Sequence, residues 1–236
     1  MNKSQSVLIL HGWKSSKEKW DRVKDILEKK DIKVVIPDLP GFKEETKIEK
    51  SWSLDDYLRW VEAYVKKKEK EGLLKESFFL VGHSFGGRIA IKFSVNNSEK
   101  VKGLILVSSA GIRNKKKYVS CLSSFKKFSF LPGFSFLRKI FYKFVVGKTD
   151  YLTVEGPMKE TFKNIVSEDL TDLLPEIKNN TLIIWGERDK FTPISNGYLM
   201  REKIDNSEMI KLKNIGHTPY LENPQLLADK IIDFIK

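Results

Sequence analysis

Short apolar runs alternate with amphipathic stretches along the first half of the chain. Val7-Leu8-Ile9-Leu10, Val34-Val35-Ile36, Phe78-Phe79-Leu80-Val81 and Gly103-Leu104-Ile105-Leu106-Val107 are apolar throughout, the pattern of strands covered on both faces. Between them, Trp20, Val23 and Leu27 recur at helical spacing over about 17 to 30. Leu54, Leu58, Val61 and Val65 mark one face of a second helix, with Ser53 placed to cap it and Lys66-Lys67-Lys68 expected to end it. A third helix is expected from about 86 to 97. The order β-α-β-α-β-α-β with doubly apolar strands calls for an α/β fold: a mostly parallel sheet with helices on both faces.

The rhythm breaks after Ser108-Ser109-Ala110-Gly111. Residues 112 to 175 lack strand periodicity, and seven of the fifteen phenylalanines fall between Phe125 and Phe144, which reads as an insertion of short helices. The sheet resumes with Thr181-Leu182-Ile183-Ile184-Trp185-Gly186; a helix near 194 to 204 and a last strand over about Glu208 to Leu212 follow. Asn223 and Pro224 open a terminal helix through Leu227, Ile231 and Phe234. The expected domains are a core of residues 1–111 and 176–236 with 112–175 inserted.

At 236 residues and 41% hydrophobic, the chain can bury one large core. No apolar run approaches the ~18 to 20 residues of a membrane-spanning helix, and the N-terminus lacks a secretory pattern, so a cytoplasmic location is expected. One cysteine, Cys121, excludes an intramolecular disulfide and a multi-cysteine metal site. The net charge of +12 is local: Lys100 to Thr149 contains twelve basic residues and no acid, while the remaining 31 basic residues balance 31 acidic ones. Phenylalanines interleaved with Lys126, Lys127, Arg138, Lys139 and Lys143 suit either a cap core above an acyl pocket or peripheral contact with an anionic membrane. No nucleic-acid motif accompanies the charge, and nucleic acid is not an expected partner.

The chemistry centres on Gly82-His83-Ser84-Phe85-Gly86. Where a buried strand turns sharply into a helix, the apex residue is strained and its neighbours two positions away must be small. The apex side chain then stands above the sheet beside the helix amides, as a nucleophile forming an anionic intermediate requires. A serine hydroxyl needs a base and an acid to orient that base. Of three histidines, His83 is adjacent to Ser84 on the turn and His11 ends the first strand, positions that suit structural roles; His217, in the loop after the last strand, is the candidate base. Glu187, Asp38 and Asp189 compete as the acid, and the chain order serine, acid, histidine selects Asp189.

These segments together resemble the α/β-hydrolase fold enzymes over nearly the whole chain. His11-Gly12-Trp13 is similar to the family's oxyanion loop, Pro37-Asp38-Leu39-Pro40-Gly41-Phe42 to its next strand-end loop, and Gly82 to Gly87 to its nucleophile elbow. Trp185 to Pro193 resembles the acid loop and Gly216 to Pro224 the histidine loop. The resemblance implies an oxyanion hole at the backbone amides of Trp13 and Phe85 and makes 112–175 a helical cap or lid. The family's first hairpin is expected to be absent, because Val7 begins what would be its third strand.

The implied function is a serine hydrolase that cleaves a carboxylic ester of a small or lipid-like substrate through Ser84, His217 and Asp189, with an acyl-enzyme and no metal or organic cofactor. Serine at the elbow argues against the family's epoxide hydrolases and haloalkane dehalogenases. Its carbon–carbon hydrolases usually carry asparagine before the serine and tryptophan after the histidine, where this chain has His83 and Thr218. An acyltransferase, thioesterase or peptidase shares the triad, and a non-catalytic ligand-binding member shares the fold.

Overall fold

The computed structural model describes residues 5–113 and 156–236. Six strands form one sheet: β1 (Ser6–Leu10), β2 (Lys33–Val35), β3 (Phe78–His83), β4 (Val101–Val107), β5 (Thr181–Gly186) and β6 (Ser207–Leu212). Their spatial order is β2-β1-β3-β4-β5-β6, and every pairing is parallel. The α/β arrangement expected from the apolar runs is the one found.

Strand alternation sorts the core into two layers. Leu8, Leu10, Phe78, Leu80, Leu104, Leu106, Ile183 and Trp185 face one layer. Val7, Ile9, Phe79, Val81, Ile105, Val107, Leu182 and Ile184 face the other. Helices α2 (Leu54–Lys70), α3 (Phe85–Asn96) and α5 (Ile194–Lys203) cover the first face, together with Ile165 of α4 (Pro157–Ser167). Helices α1 (Asp21–Glu28) and α7 (Pro224–Ile235) cover the second, and the four-residue α6 (Pro219–Glu222) leads into α7.

Several boundaries differ from the expected ones. The first helical stretch is a 3-10 turn over Lys17–Trp20 that passes into α1 at Asp21. Helix α2 continues through Lys66-Lys67-Lys68 to Lys70, where lysines in the last turn meet the negative end of the helix dipole. Its start is fixed by a capping box in which Ser53 Oγ accepts from the Asp56 N–H at 3.2 Å and Asp56 accepts from the Ser53 N–H at 2.7 Å. The outer strands β2 and β6 are only partly buried, unlike the inner four. Of the inserted segment, α4 and a 3-10 turn over Thr171–Glu176 are described. The phenylalanine-rich basic stretch lies outside the described residues apart from Lys100, Lys102 and Arg113. Among the described residues no helix is long and apolar enough to cross a membrane.

The chain leaves β1 toward β2 on one side and leaves β3 toward β4 on the other. This reversal opens a crevice beyond the carboxyl ends of β1 and β3, the place where open parallel sheets bind ligands.

Candidate active site

Ser84 follows β3 directly and has φ 50° and ψ −112°, a strained backbone for a residue with a side chain. Close packing explains its flanking glycines. A Cβ on Gly82 would stand 2.7 Å from Ala90 Cβ, and one on Gly86 would collide with the Leu10 carbonyl oxygen. The turn is pinned to β4: the Ser84 N–H donates to the Val107 carbonyl at 3.1 Å, and the Ala110 N–H donates to the Ser84 carbonyl at 3.0 Å.

His217 reaches Ser84 from the loop after β6, with Nε2 3.1 Å from Ser84 Oγ. Its Nδ1 lies 2.8 Å from Asp189 Oδ2, so a proton on Nδ1 leaves Nε2 free to accept the serine proton. The Asp189 side chain is fully buried. Burial opposes its charge, but hydrogen bonds from His217 and Thr192 outweigh that and hold its carboxyl below the usual carboxylate range. Asp189 Oδ1 accepts from the N–H groups of Phe191 at 2.8 Å and Thr192 at 2.9 Å. The three residues selected from the sequence are thus brought together in hydrogen-bonding range.

The other two histidines brace loops. His83 Nε2–H donates to the His217 carbonyl at 2.8 Å, tying the elbow to the loop that carries the base. Burial, with the neighbouring His217, lowers its pKa to about 3 and keeps its ring neutral. His11 Nε2 accepts from the Leu39 N–H at 3.0 Å and so joins the loops after β1 and β2.

Trp13 and Phe85 face each other across the crevice with ring centroids 5.5 Å apart. Phe85 is the first residue of α3, so its N–H has no acceptor within the helix. Trp13 also packs edge-on against Phe42 at 4.8 Å and Phe162 of α4 at 5.1 Å. A cavity of about 440 Å³ opens here, bounded by Trp13, Ser84, Phe85, Phe162, Ile165 and His217.

Two supporting residues were not singled out by sequence reasoning. Thr192 Oγ1 lies 2.8 Å from Asp189 Oδ2 and 3.1 Å from the Ser108 carbonyl, fixing the acid loop against the end of β4. Glu222 accepts from the N–H groups of Gly216 at 2.7 Å and Thr218 at 3.1 Å, holding the chain on both sides of His217. Both lie in segments that resembled the family's loops, but nothing local to either residue marks these contacts. Among the described residues, no group of three His, Cys, Asp or Glu side chains is placed to hold a metal ion.

The sequence pattern of the alpha/beta hydrolase fold family matches residues 5–151. This chain belongs to the α/β-hydrolase fold family. It is 28% identical over 256 aligned positions to monoacylglycerol lipase ABHD6 of Homo sapiens, covering 98% of this chain and 75% of the relative. A 2-hydroxy-6-oxononadienedioate/2-hydroxy-6-oxononatrienedioate hydrolase of Pseudomonas putida is 26% identical, with coverage of 98% and 88%. An esterase from Exiguobacterium antarcticum has the same fold, with a TM-score of 0.74 at 22% identity over 100% of this chain and 93% of its own. The α/β-hydrolase chain described here is a hydrolytic enzyme of that fold.

Proposed function

We propose that this α/β hydrolase cleaves a carboxylic ester of a small or lipid-like substrate through Ser84, His217 and Asp189. The observation that carries the reading is one imidazole spanning Ser84 Oγ at 3.1 Å and Asp189 Oδ2 at 2.8 Å at the edge of the cavity. The relatives support the ester class: ABHD6 is named a monoacylglycerol lipase, and a further relative, 25% identical over 95% of this chain and 75% of its own length, is Lipase 1 of Psychrobacter immobilis.

In this mechanism His217 Nε2 takes the Ser84 proton as Oγ attacks the ester carbonyl, and Asp189 supports the imidazolium that forms. The backbone amides of Trp13 and Phe85 hold the oxyanion. His217 then protonates the leaving alkoxide, and the alcohol departs from an acyl-enzyme. Water, deprotonated by His217, attacks the acyl carbonyl and releases the acid. In this reading residues 1–111 and 176–236 form the catalytic core, with 112–175 inserted as a cap whose helix α4 supplies Phe162 and Ile165 to the cavity wall.

Turnover of a short-chain nitrophenyl ester by wild type and Ser84→Ala tests the assignment. Loss of turnover and of labelling by a fluorophosphonate probe is expected in the variant; unchanged turnover would overturn it. Competition between water and a labelled alcohol nucleophile separates hydrolysis from acyl transfer.

A further inference from the structure

One buried charge in the cavity is not used by this mechanism. Arg88 lies in the first turns of α3, four residues after the turn that carries Ser84. Arg88 is only 6% exposed and lines the same cavity as Ser84. Its Nη1–H donates to the Glu168 backbone carbonyl at 2.9 Å, which is its one hydrogen bond among the described residues. A guanidinium carries five N–H donors, so the described residues leave most of its capacity unspent.

The nearby carboxylates serve other groups. Glu168 Oε1 accepts from Lys92 Nζ at 2.8 Å, and Asp169 Oδ1 accepts from Thr171 Oγ1 at 2.6 Å. Burial lowers the Arg88 pKa to about 10, partly offset by the charges of Glu168 and Asp169, which leaves it a cation at neutral pH. Lys14 and Lys19 also line the cavity, and no Asp or Glu is among its described lining residues. The rest of the wall near Arg88 is apolar, with Phe85, Phe162, Ile165 and Val166. Among the described residues no carboxylate is hydrogen-bonded to Arg88, and a buried guanidinium left so in a cavity wall suits a planar anion.

We propose that Arg88 binds a carboxylate on the substrate, so that the preferred esters are hemi-esters of short dicarboxylic acids whose free carboxylate lies along α3 while the ester carbonyl meets Ser84. This rests on the ester-hydrolase reading. It makes Arg88 a specificity-determining residue, separate from the triad.

The test compares monoethyl glutarate with ethyl valerate, which have the same chain length and differ in the terminal carboxylate. Wild type is expected to favour monoethyl glutarate at least tenfold in kcat/KM. Arg88→Met should reduce that ratio at least tenfold, chiefly through KM for the hemi-ester, and Arg88→Lys should restore part of it. No preference in wild type, a ratio unchanged in Arg88→Met, or stronger preference for a phosphonate analogue would overturn the proposal. Calorimetric binding of monoethyl glutarate to Ser84→Ala, compared with Ser84→Ala/Arg88→Lys and Ser84→Ala/Arg88→Met, reads the site without turnover. At least tenfold weaker binding in the methionine variant supports the receptor even if neither ester is hydrolysed, the result that would overturn the ester reading alone. Equal binding in all three overturns the receptor.

Discussion

At the carboxyl ends of the strands the backbone is strained; at the amino ends it is ordinary. Among the described non-glycine residues, Lys14, Ser84, Ser108 and Asn214 have positive φ in the loops after β1, β3, β4 and β6, and Asp31 alone lies in a connection that enters a strand. Buried polar atoms without partners also gather at the carboxyl end, at Trp13 Nε1, His83 Nδ1 and Ser108 Oγ. At the amino end the entering segments join the ladder in ordinary bonds: Lys33 N–H to Gln5 at 2.9 Å, Leu104 N–H to Asn180 at 2.9 Å, and Thr181 N–H to Asn206 at 2.8 Å. Fewer partnerless atoms lie there: Ser94 Oγ in the last turn of α3, and Asn179 Oδ1, on an amide whose nitrogen donates to the Ser98 carbonyl at 2.9 Å. Both ends enclose the same apolar layers, so the difference is one of use: strain collects where side chains must be held for chemistry.

Substitutions at the two ends should therefore separate activity from stability. The largest effect is expected from Asp189→Asn, which removes the acceptor that fixes the His217 tautomer. A loss of kcat on the order of 10³ to 10⁴ is expected, with the melting temperature falling by only a few degrees. Steady-state kinetics and thermal unfolding on one preparation check both parts. Leu27→Ala, in the α1 layer remote from the cavity, should do the reverse. It removes a fully buried side chain and should cost about 2 to 5 kcal/mol of stability in urea unfolding, with kcat unchanged below the transition. A loss of kcat comparable to that of Asp189→Asn would break the division.

The sequence was readable to unequal depth in the same two regions. Strands β1, β3, β4 and β5 were legible because doubly buried parallel strands leave uninterrupted apolar runs. Ser53 and Asn223 were legible as caps because capping is local, and Asn223 Oδ1 accepts from the Leu226 N–H at 3.0 Å as its position suggested. The Ser84 turn was legible because close backbone approach admits only glycine at 82 and 86. Thr192, Glu222 and Arg88 were not. Their roles depend on which loops meet after folding, and a threonine, a glutamate and an arginine in helix or loop look the same with or without such a partner. The end of α2 was misplaced because a lysine run reads as a helix stop, although lysines favour the last turn.

A smaller effect should appear in the pH dependence of stability. Burial holds the His83 pKa at about 3, against ~6.5 in an unfolded chain, and burial also lowers His11. Between those values the unfolded state binds the extra proton. For His83 the stabilisation is therefore complete above about pH 6.5 and lost as pH falls toward 3, at about 1.4 kcal/mol per pH unit, and His11 adds a loss of the same sign. Asp189, with its depressed pKa, adds a loss of the same sign at lower pH. Urea unfolding of wild type and His83→Gln between pH 4.5 and 7.5 should show a flatter slope in the variant by about that amount. Parallel slopes would mean that His83 does not carry the linkage.

The finest distinction concerns strain itself. Ser84→Ala and Ser84→Gly both remove the hydroxyl, but only glycine relaxes a backbone at φ 50°. The glycine variant should be more stable than the alanine variant by about 1 kcal/mol, the strain relieved exceeding the extra entropy of an unfolded glycine. At exposed Lys33, which opens β2 at the amino end, the same pair should reverse: glycine is expected to be less stable than alanine by about 0.5 to 1 kcal/mol, because an extended backbone gains nothing from glycine's freedom. Opposite signs at the two positions in chemical denaturation would tie the contrast between the sheet ends to backbone energy. The same sign at both would reduce it to the difference between having and lacking a functional side chain.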